Sequence, residues 1–225
     1  MTTVFSHIKA HALALFLACC ICFTALQPSE SFAEPAWPQD VLIEAEGGIL
    51  VDADSGTVLY GKNIHQRYYP ASITKILTAL IVIERCKLDD TITFSYDAVH
   101  NVESGSTSAG YGVGDKITVR EALYALLLRS ANEVANALAE HCAGSREAFA
   151  RLMNEKAASL GCKESHFTNP SGLNDENHYT TAYDYSLIAM AAFKNPTFVE
   201  FDSTTYYELP PNSANAEPST ADTKC

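Results

Sequence analysis

Apolar positions fall in blocks whose period changes along the chain. Leu42 to Ala45 and Gly48 to Asp52 read as strands, Asp54-Ser55-Gly56 as a turn, and Thr57 to Tyr60 as the returning strand. Between Ala71 and about Arg85, the residues Ile73, Ile76, Leu77, Leu80, Ile81 and Ile83 predict a helix buried on most of its sides. Asp89 to Phe94 reads as a short extended piece. Glycines at 105, 110, 112 and 114 mark a loop. Thr118 and Glu121 have capping-box spacing ahead of an apolar helix carrying Ala122, Leu123, Leu126, Leu127 and Leu128. The polar break Ser130-Ala131-Asn132 separates it from a second helix, Glu133 to Cys142. Ser145 caps a helix from Arg146 to Leu160 that stops at Gly161. Thr181 caps the next, Ala182 to about Phe193, with Asp184 completing a capping-box-like pattern. Residues 211–225 are rich in Pro, Asn, Ser and Thr and read as a disordered tail or an interrupted loop. No internal repeat is present.

One position breaks the pattern of the buried helix. Lys75 is the only charged residue between Ala71 and Ile83, and Ser72 lies three residues before it. On a helix that spacing stacks the two side chains about 5–6 Å apart at Cβ. A serine hydroxyl becomes a useful nucleophile when a neighbour takes its proton, and burial can lower a lysine's pKa enough for it to do so. Ser-x-x-Lys is short, and a second copy stands at Ser6-His7-Ile8-Lys9. The second candidate piece, Ser130-Ala131-Asn132, also has a counterpart at Ser213-Ala214-Asn215, and a Ser-x-Asn between apolar helices is equally the mark of a plain helix break. The weight therefore rests on the order and context of several matches.

Taken together these residues resemble the penicillin-binding proteins and serine β-lactamases, for which Ser-x-x-Lys and a Ser-x-Asn type motif are signatures. The closer resemblance is to the serine-type D-alanyl-D-alanine carboxypeptidases of low molecular mass. Gly48 to Tyr60 is similar to that family's opening hairpin, and Tyr69-Pro70-Ala71-Ser72 to its approach to the nucleophile. Leu126 to Glu133 and Ala137 to His141 are similar to its second motif and the helix that follows. His166 to Leu173 and His178 to Asp184 resemble a further signature. The resemblance runs from about residue 42 to about residue 210. The family's third motif, Lys-Thr-Gly, has no counterpart, since no lysine in this chain is followed by Thr-Gly or Ser-Gly.

The resemblance implies an α+β fold of the β-lactamase/penicillin-binding-protein transpeptidase type. A helical subdomain would pack on an antiparallel sheet whose C-terminal strands this chain lacks. It implies Ser72 as nucleophile, Lys75 as the base that accepts its proton, Ser130 as a proton relay and Asn132 as a substrate-binding residue. The substrates implied are peptidoglycan stem peptides, with β-lactams as their mimics, and no metal or other cofactor is required. His166, His178 and Asp184 are read as structural. Two further readings stand beside this one. The first is a class A-like β-lactamase, for which Asp175 and Glu176 are the available acids. The second is a penicillin- or peptidoglycan-binding fragment that performs no chemistry.

Residues 1–33 have the pattern of a secretory signal peptide, with Lys9 in a weakly basic leader, an apolar run from Ala12 to Leu26, and Ser31-Phe32-Ala33 before the cut. Residues 34–41, with Pro35 and Pro38, read as a linker, residues 42–210 as an incomplete catalytic domain, and 211–225 as the tail. This places the protein outside the cytoplasm, with no membrane contact encoded once the signal is gone. The formal net charge is −12, and an acidic surface argues against nucleic-acid partners. Of seven cysteines, Cys19, Cys20 and Cys22 lie in the signal, leaving Cys86, Cys142, Cys162 and Cys225 with three ways to pair, or as buried thiols. No Cys/His spacing suggests zinc.

Overall fold

The computed structural model describes residues 42–222. The signal-peptide and linker assignments, and Cys225, lie outside the described residues. Strand β1 (Gly48–Val51) pairs antiparallel with β2 (Val58–Lys62). The turn between them is held by Asp52, whose carboxylate accepts from the Ser55 amide and hydroxyl, both at 2.7 Å. The stretch Leu42 to Ala45, expected as a strand, forms none. Its carbonyl groups at Ile43 and Ala45 accept instead from the Lys62 ammonium, at 2.9 and 2.8 Å. A cation on the neighbouring strand thus supplies the donors that a ladder partner would have given.

After β3 (Arg67–Tyr68) the chain makes a 3-10 turn, Ala71–Ile73, and enters α1 (Thr74–Arg85). The expected single helix from Ala71 is therefore a tight turn followed by an α-helix. Strand β4 (Thr91–Thr93), helix α2 (Tyr96–His100) and β5 (Lys116–Thr118) follow, with β4 and β5 paired antiparallel. Thr118 then opens α3 (Val119–Leu128) with the expected capping box: its hydroxyl accepts from the Glu121 amide while the Glu121 carboxylate accepts from the Thr118 amide. Helix α4 (Asn132–Ala143) ends at Gly144 in the left-handed region, and Ser145 caps α5 (Arg146–Ser159). Strand β6 (Thr180–Thr181) pairs with β3, and Thr181 caps α6 (Ala182–Phe193). Asn195 caps α7 (Pro196–Asp202), with proline at the first turn where its missing N–H costs nothing. The chain closes on β7 (Tyr206–Leu209) and β8 (Ser219–Asp222).

That last pair corrects the reading of residues 211–225 as a disordered or interrupted tail. Tyr206 to Leu209 and Ser219 to Asp222 pair in antiparallel register, and the Arg129 guanidinium donates to the Thr220 carbonyl at 2.7 Å. Ala221 is fully buried in the core. Proline, asparagine and serine are common in coils, but here they build the connection between two strands.

Helix α1 is the centre of the molecule. Leu77, Ala79, Leu80, Ile81 and Val82 are buried on it, and α3, α4, α5, α6 and α7 all contact it. Burying Leu-sized side chains stabilises by about 1.5–3 kcal/mol each, so the apolar wall of α1 is the main force holding this arrangement. The same burial extends to its polar N-terminal turn, where Thr74, Lys75 and Thr78 are also enclosed. The apolar core thus forces three polar side chains out of water, and each must find a partner.

Candidate active site

The partners come from two directions. Lys75 is only 2% exposed, and its Nζ has three acceptors: Asn132 Oδ1 at 2.7 Å, the Ser171 carbonyl at 2.7 Å and Ser72 Oγ at 3.3 Å. Ser72 lies in the 3-10 turn, one helical turn below Lys75, and is itself exposed. A serine hydroxyl open to solvent thus touches a buried amine. Burial lowers the Lys75 pKa to about 8, and the negative charge of Glu133 works against that shift. As an ammonium, Lys75 can donate to all three oxygens. As a free amine it can keep its bonds to Asn132 and Ser171 and turn its lone pair to the Ser72 hydroxyl. The two firm acceptors therefore aim the amine in either protonation state.

Asn132 is the first residue of α4 and is buried. Its amide donates to the Thr107 carbonyl at 3.0 Å, which ties the glycine-containing loop to the start of that helix. Ser130 sits in the break between α3 and α4 with a φ of 54°, a backbone state that L-residues rarely adopt. Its Oγ is buried and has no hydrogen-bond partner among the described residues. A strained backbone and an unsatisfied hydroxyl at one residue both cost stability. The structure thus joins Ser72, Lys75 and Asn132 through hydrogen bonds. Ser130 stands two residues from Asn132 and is not bonded to any of them.

The segment from Gly161 to Tyr179 supplies the remaining wall. Asn169 Oδ1 accepts from the Ser171 and Gly172 amides, at 3.2 and 2.7 Å, shaping the turn that presents the Ser171 carbonyl to Lys75. Gly172 has a φ of +82°, and a Cβ placed there would overlap the Ala71 carbonyl beside Ser72. Thr78 donates to the Pro170 carbonyl at 2.7 Å, and the Tyr185 hydroxyl donates to the Ile73 carbonyl. His178 is buried. Its Nδ1 accepts from the Thr168 amide at 3.0 Å, so the ring proton sits on Nε2, which lies 2.9 Å from Thr74 Oγ1. Burial pulls its pKa down to about 4, which keeps the ring neutral. Asp184 receives the Lys163 and Glu164 amides and the Ser165 hydroxyl on one oxygen. His178 and Asp184 thus tie this segment to α1 and α6.

Three residues at the site were not singled out from the sequence for a role there. Glu133, 2% exposed, gathers the Ser108 hydroxyl and the Ala109 and Gly110 amides on Oε1, which fixes the loop in front of α4. Ser171 contributes only its carbonyl, for which a sequence carries no signal. Gly172 lies inside the stretch that carried the resemblance. Asp175 and Glu176 are exposed, and no hydrogen bond links either to Ser72 or Lys75.

The sequence model of the D-alanyl-D-alanine carboxypeptidases matches residues 33–218. The chain belongs to this family. A D-alanyl-D-alanine carboxypeptidase of Bacillus subtilis, DacF, is 37% identical over 166 residues, covering 72% of this chain and 42% of the relative. DacA of Escherichia coli is 32% identical over 207 residues, covering 87% of this chain and 51% of the relative. Among solved structures, penicillin binding protein 6B from Escherichia coli superposes with a TM-score of 0.75 at 28% identity, over 85% of this chain and 61% of that one. The D-alanyl-D-alanine carboxypeptidase from Mycobacterium tuberculosis H37Rv superposes with a TM-score of 0.73 at 31% identity, over 80% and 67%. The α+β fold of the penicillin-binding proteins is therefore that of this chain. The chain spans about half the length of the first curated relatives it matches, 42% and 51%. For a member of the carboxypeptidase family, the departure is the absence of Lys-Thr-Gly anywhere in residues 1–225.

Proposed function

We propose that the protein acts as a serine-type D-alanyl-D-alanine carboxypeptidase outside the cytoplasm, removing the terminal D-Ala of peptidoglycan stem peptides and reacting with β-lactams as mimics of that substrate. The observation that carries this reading is the enclosed Lys75 amine, held by Asn132 and Ser171 and touching the exposed Ser72 hydroxyl. Ser72 Oγ attacks the carbonyl carbon of the penultimate D-Ala while Lys75 takes the hydroxyl proton. The C–N bond breaks, the leaving nitrogen receives a proton by way of Ser130, and an ester on Ser72 remains. Water then hydrolyses the ester. The N-terminal end of α1 favours the negative charge that develops on the carbonyl oxygen, and Asn132 hydrogen-bonds the substrate amide. The family membership and the signal-like residues 1–33 support the extracytoplasmic setting.

The test is acylation of the full chain by a fluorescent penicillin, with the adduct mapped by mass spectrometry. The expected result is one adduct, on Ser72, lost in Ser72→Ala. Lys75→Ala should slow its formation by about 10²–10⁴-fold while the circular dichroism spectrum is retained. An adduct elsewhere, or wild-type acylation in the lysine variant, overturns the assignment.

A further inference from the structure

Helices α1 and α4 lie in contact and run the same way from the site. Each is twelve residues long, so each extends about 18 Å. At their N-terminal ends they are joined by the Lys75–Asn132 hydrogen bond. At their C-terminal ends stand two cysteines. Cys86 caps α1, its amide donating to the Val82 carbonyl at 2.9 Å, and Cys142 lies in the last turn of α4. The two side chains lie close enough that each thiol shifts the ionisation of the other. A second contact holds the same ends together: His141, next to Cys142, lies 3.8 Å from Asp90 in the segment that follows Cys86. Both cysteines are free and half-buried, packed against the core yet open enough for a reagent to enter. The third free cysteine among the described residues, Cys162, is occupied elsewhere, with its Sγ 3.3 Å from the Asp184 carbonyl.

We propose that Cys86 and Cys142 form an oxidisable pair whose disulfide staples the far ends of the two helices that carry Lys75 and Asn132. The two thiols differ in a way that suits such a reaction. The neighbouring Cys86 thiol and the Arg85 guanidinium hold the Cys142 pKa below its usual value, while the Cys86 thiol is pushed up. Cys142 is therefore the first nucleophile. Its thiolate attacks one sulfur of an external disulfide, belonging to an oxidising dithiol protein or a small disulfide, and expels the other sulfur as a thiol. Cys86 then loses its proton and attacks Cys142 Sγ in the mixed disulfide, expelling the second thiol. The two cysteines lose two electrons and two protons, and the external disulfide gains them. The closed link ties residues far apart in the chain, which is where such a link restricts the unfolded state most.

The test uses the full chain, first reduced and then incubated with oxidised glutathione. Non-reducing digestion and mass spectrometry should find the Cys86 and Cys142 peptides joined, and dithiothreitol should separate them. The melting temperature of the oxidised chain should exceed that of the reduced chain by about 5–15 °C. Cys86→Ala/Cys142→Ala should melt at the same temperature with and without oxidant. Persistent glutathione adducts on either cysteine, a dominant link from either to a different cysteine, or an equal oxidant effect in the double variant overturns the proposal.

Discussion

A lysine held by Asn132 and Ser171 titrates where its surroundings decide. With its pKa near 8, Lys75 is mostly protonated at neutral pH and becomes a base as the pH rises through that value. Acylation by a β-lactam should therefore fall about tenfold for each pH unit well below 8, because only the free amine can accept the Ser72 proton. Glu133 raises the Lys75 pKa. Removing its charge should move the midpoint to lower pH. Glu133→Gln keeps an oxygen for the Ala109 and Gly110 amides, so the loop has its anchor while the charge is lost. Rate-against-pH profiles of the two proteins check this, and a midpoint that stays put or rises would show that Glu133 does not act on Lys75 through its charge. Both residues stand in the sequence as plain letters, and the spacing of Ser72 and Lys75 was readable because one helical turn is a local fact. The pull of Glu133 on Lys75 was not readable, because it depends on where α4 packs.

At the scale of elements, the contact between the Gly161–Tyr179 segment and the N-terminus of α1 carries two expectations. Gly172→Ala places a side chain in a left-handed backbone and against the Ala71 carbonyl. The backbone strain alone costs about 1–2 kcal/mol. Because the overlap displaces the turn bearing Ser72, acylation should fall by more than the loss of stability accounts for. Denaturant unfolding together with acylation rates separates the two. The second expectation concerns acid. His178 holds its proton more weakly when folded, with a pKa of about 4 against 6.5 for the ordinary side chain. Between those values the unfolded chain binds more protons, so stability is fully present above pH 6.5 and declines as the pH falls towards 4, by up to about 3 kcal/mol. His178→Asn should flatten that part of a stability-against-pH curve, and an unchanged slope would assign the loss to other groups. The capping box at Thr118 and the cap at Thr181 were readable from spacing, but Asp184, read as completing a second box, takes the Lys163 and Glu164 amides instead. The role of Leu42 to Ala45 was not, because its carbonyl partner is the Lys62 side chain rather than a strand.

At the scale of the whole molecule, an apolar groove runs between β1 and α6, lined by Ile49, Val51, Ile73, Tyr185, Met190 and Phe193. Phe193 is 52% exposed, and Leu50 on the same hairpin 57%. Contiguous apolar surface of this kind binds amphiphilic dyes and promotes association. The full chain should enhance anilinonaphthalene sulfonate fluorescence under native conditions, and Phe193→Asp should reduce that signal without lowering the melting temperature by more than a few degrees. Equal dye binding by both proteins would place the dye elsewhere. One of its lining residues, Ile73, follows Ser72 directly in the chain.

What the order of residues determined alone is what neighbours within one or two turns can decide. That covers the helix starts at Thr118, Ser145 and Thr181, the stop just before Gly161, and the placing of Ser72 beneath Lys75. These rest on hydrogen bonds between residues three or four apart. The tertiary structure decided the rest of the site. Asn132 is 57 positions from Lys75 and Ser171 is 96, and only the packing of α4 and of the Gly161–Tyr179 segment against α1 brings them to one amine. The same packing removes water from Lys75 and sets its basicity, brings Cys86 to Cys142, and turns a stretch rich in proline and asparagine into the connection between β7 and β8. Burial is a property of the assembled core, and no local pattern of residues contains it.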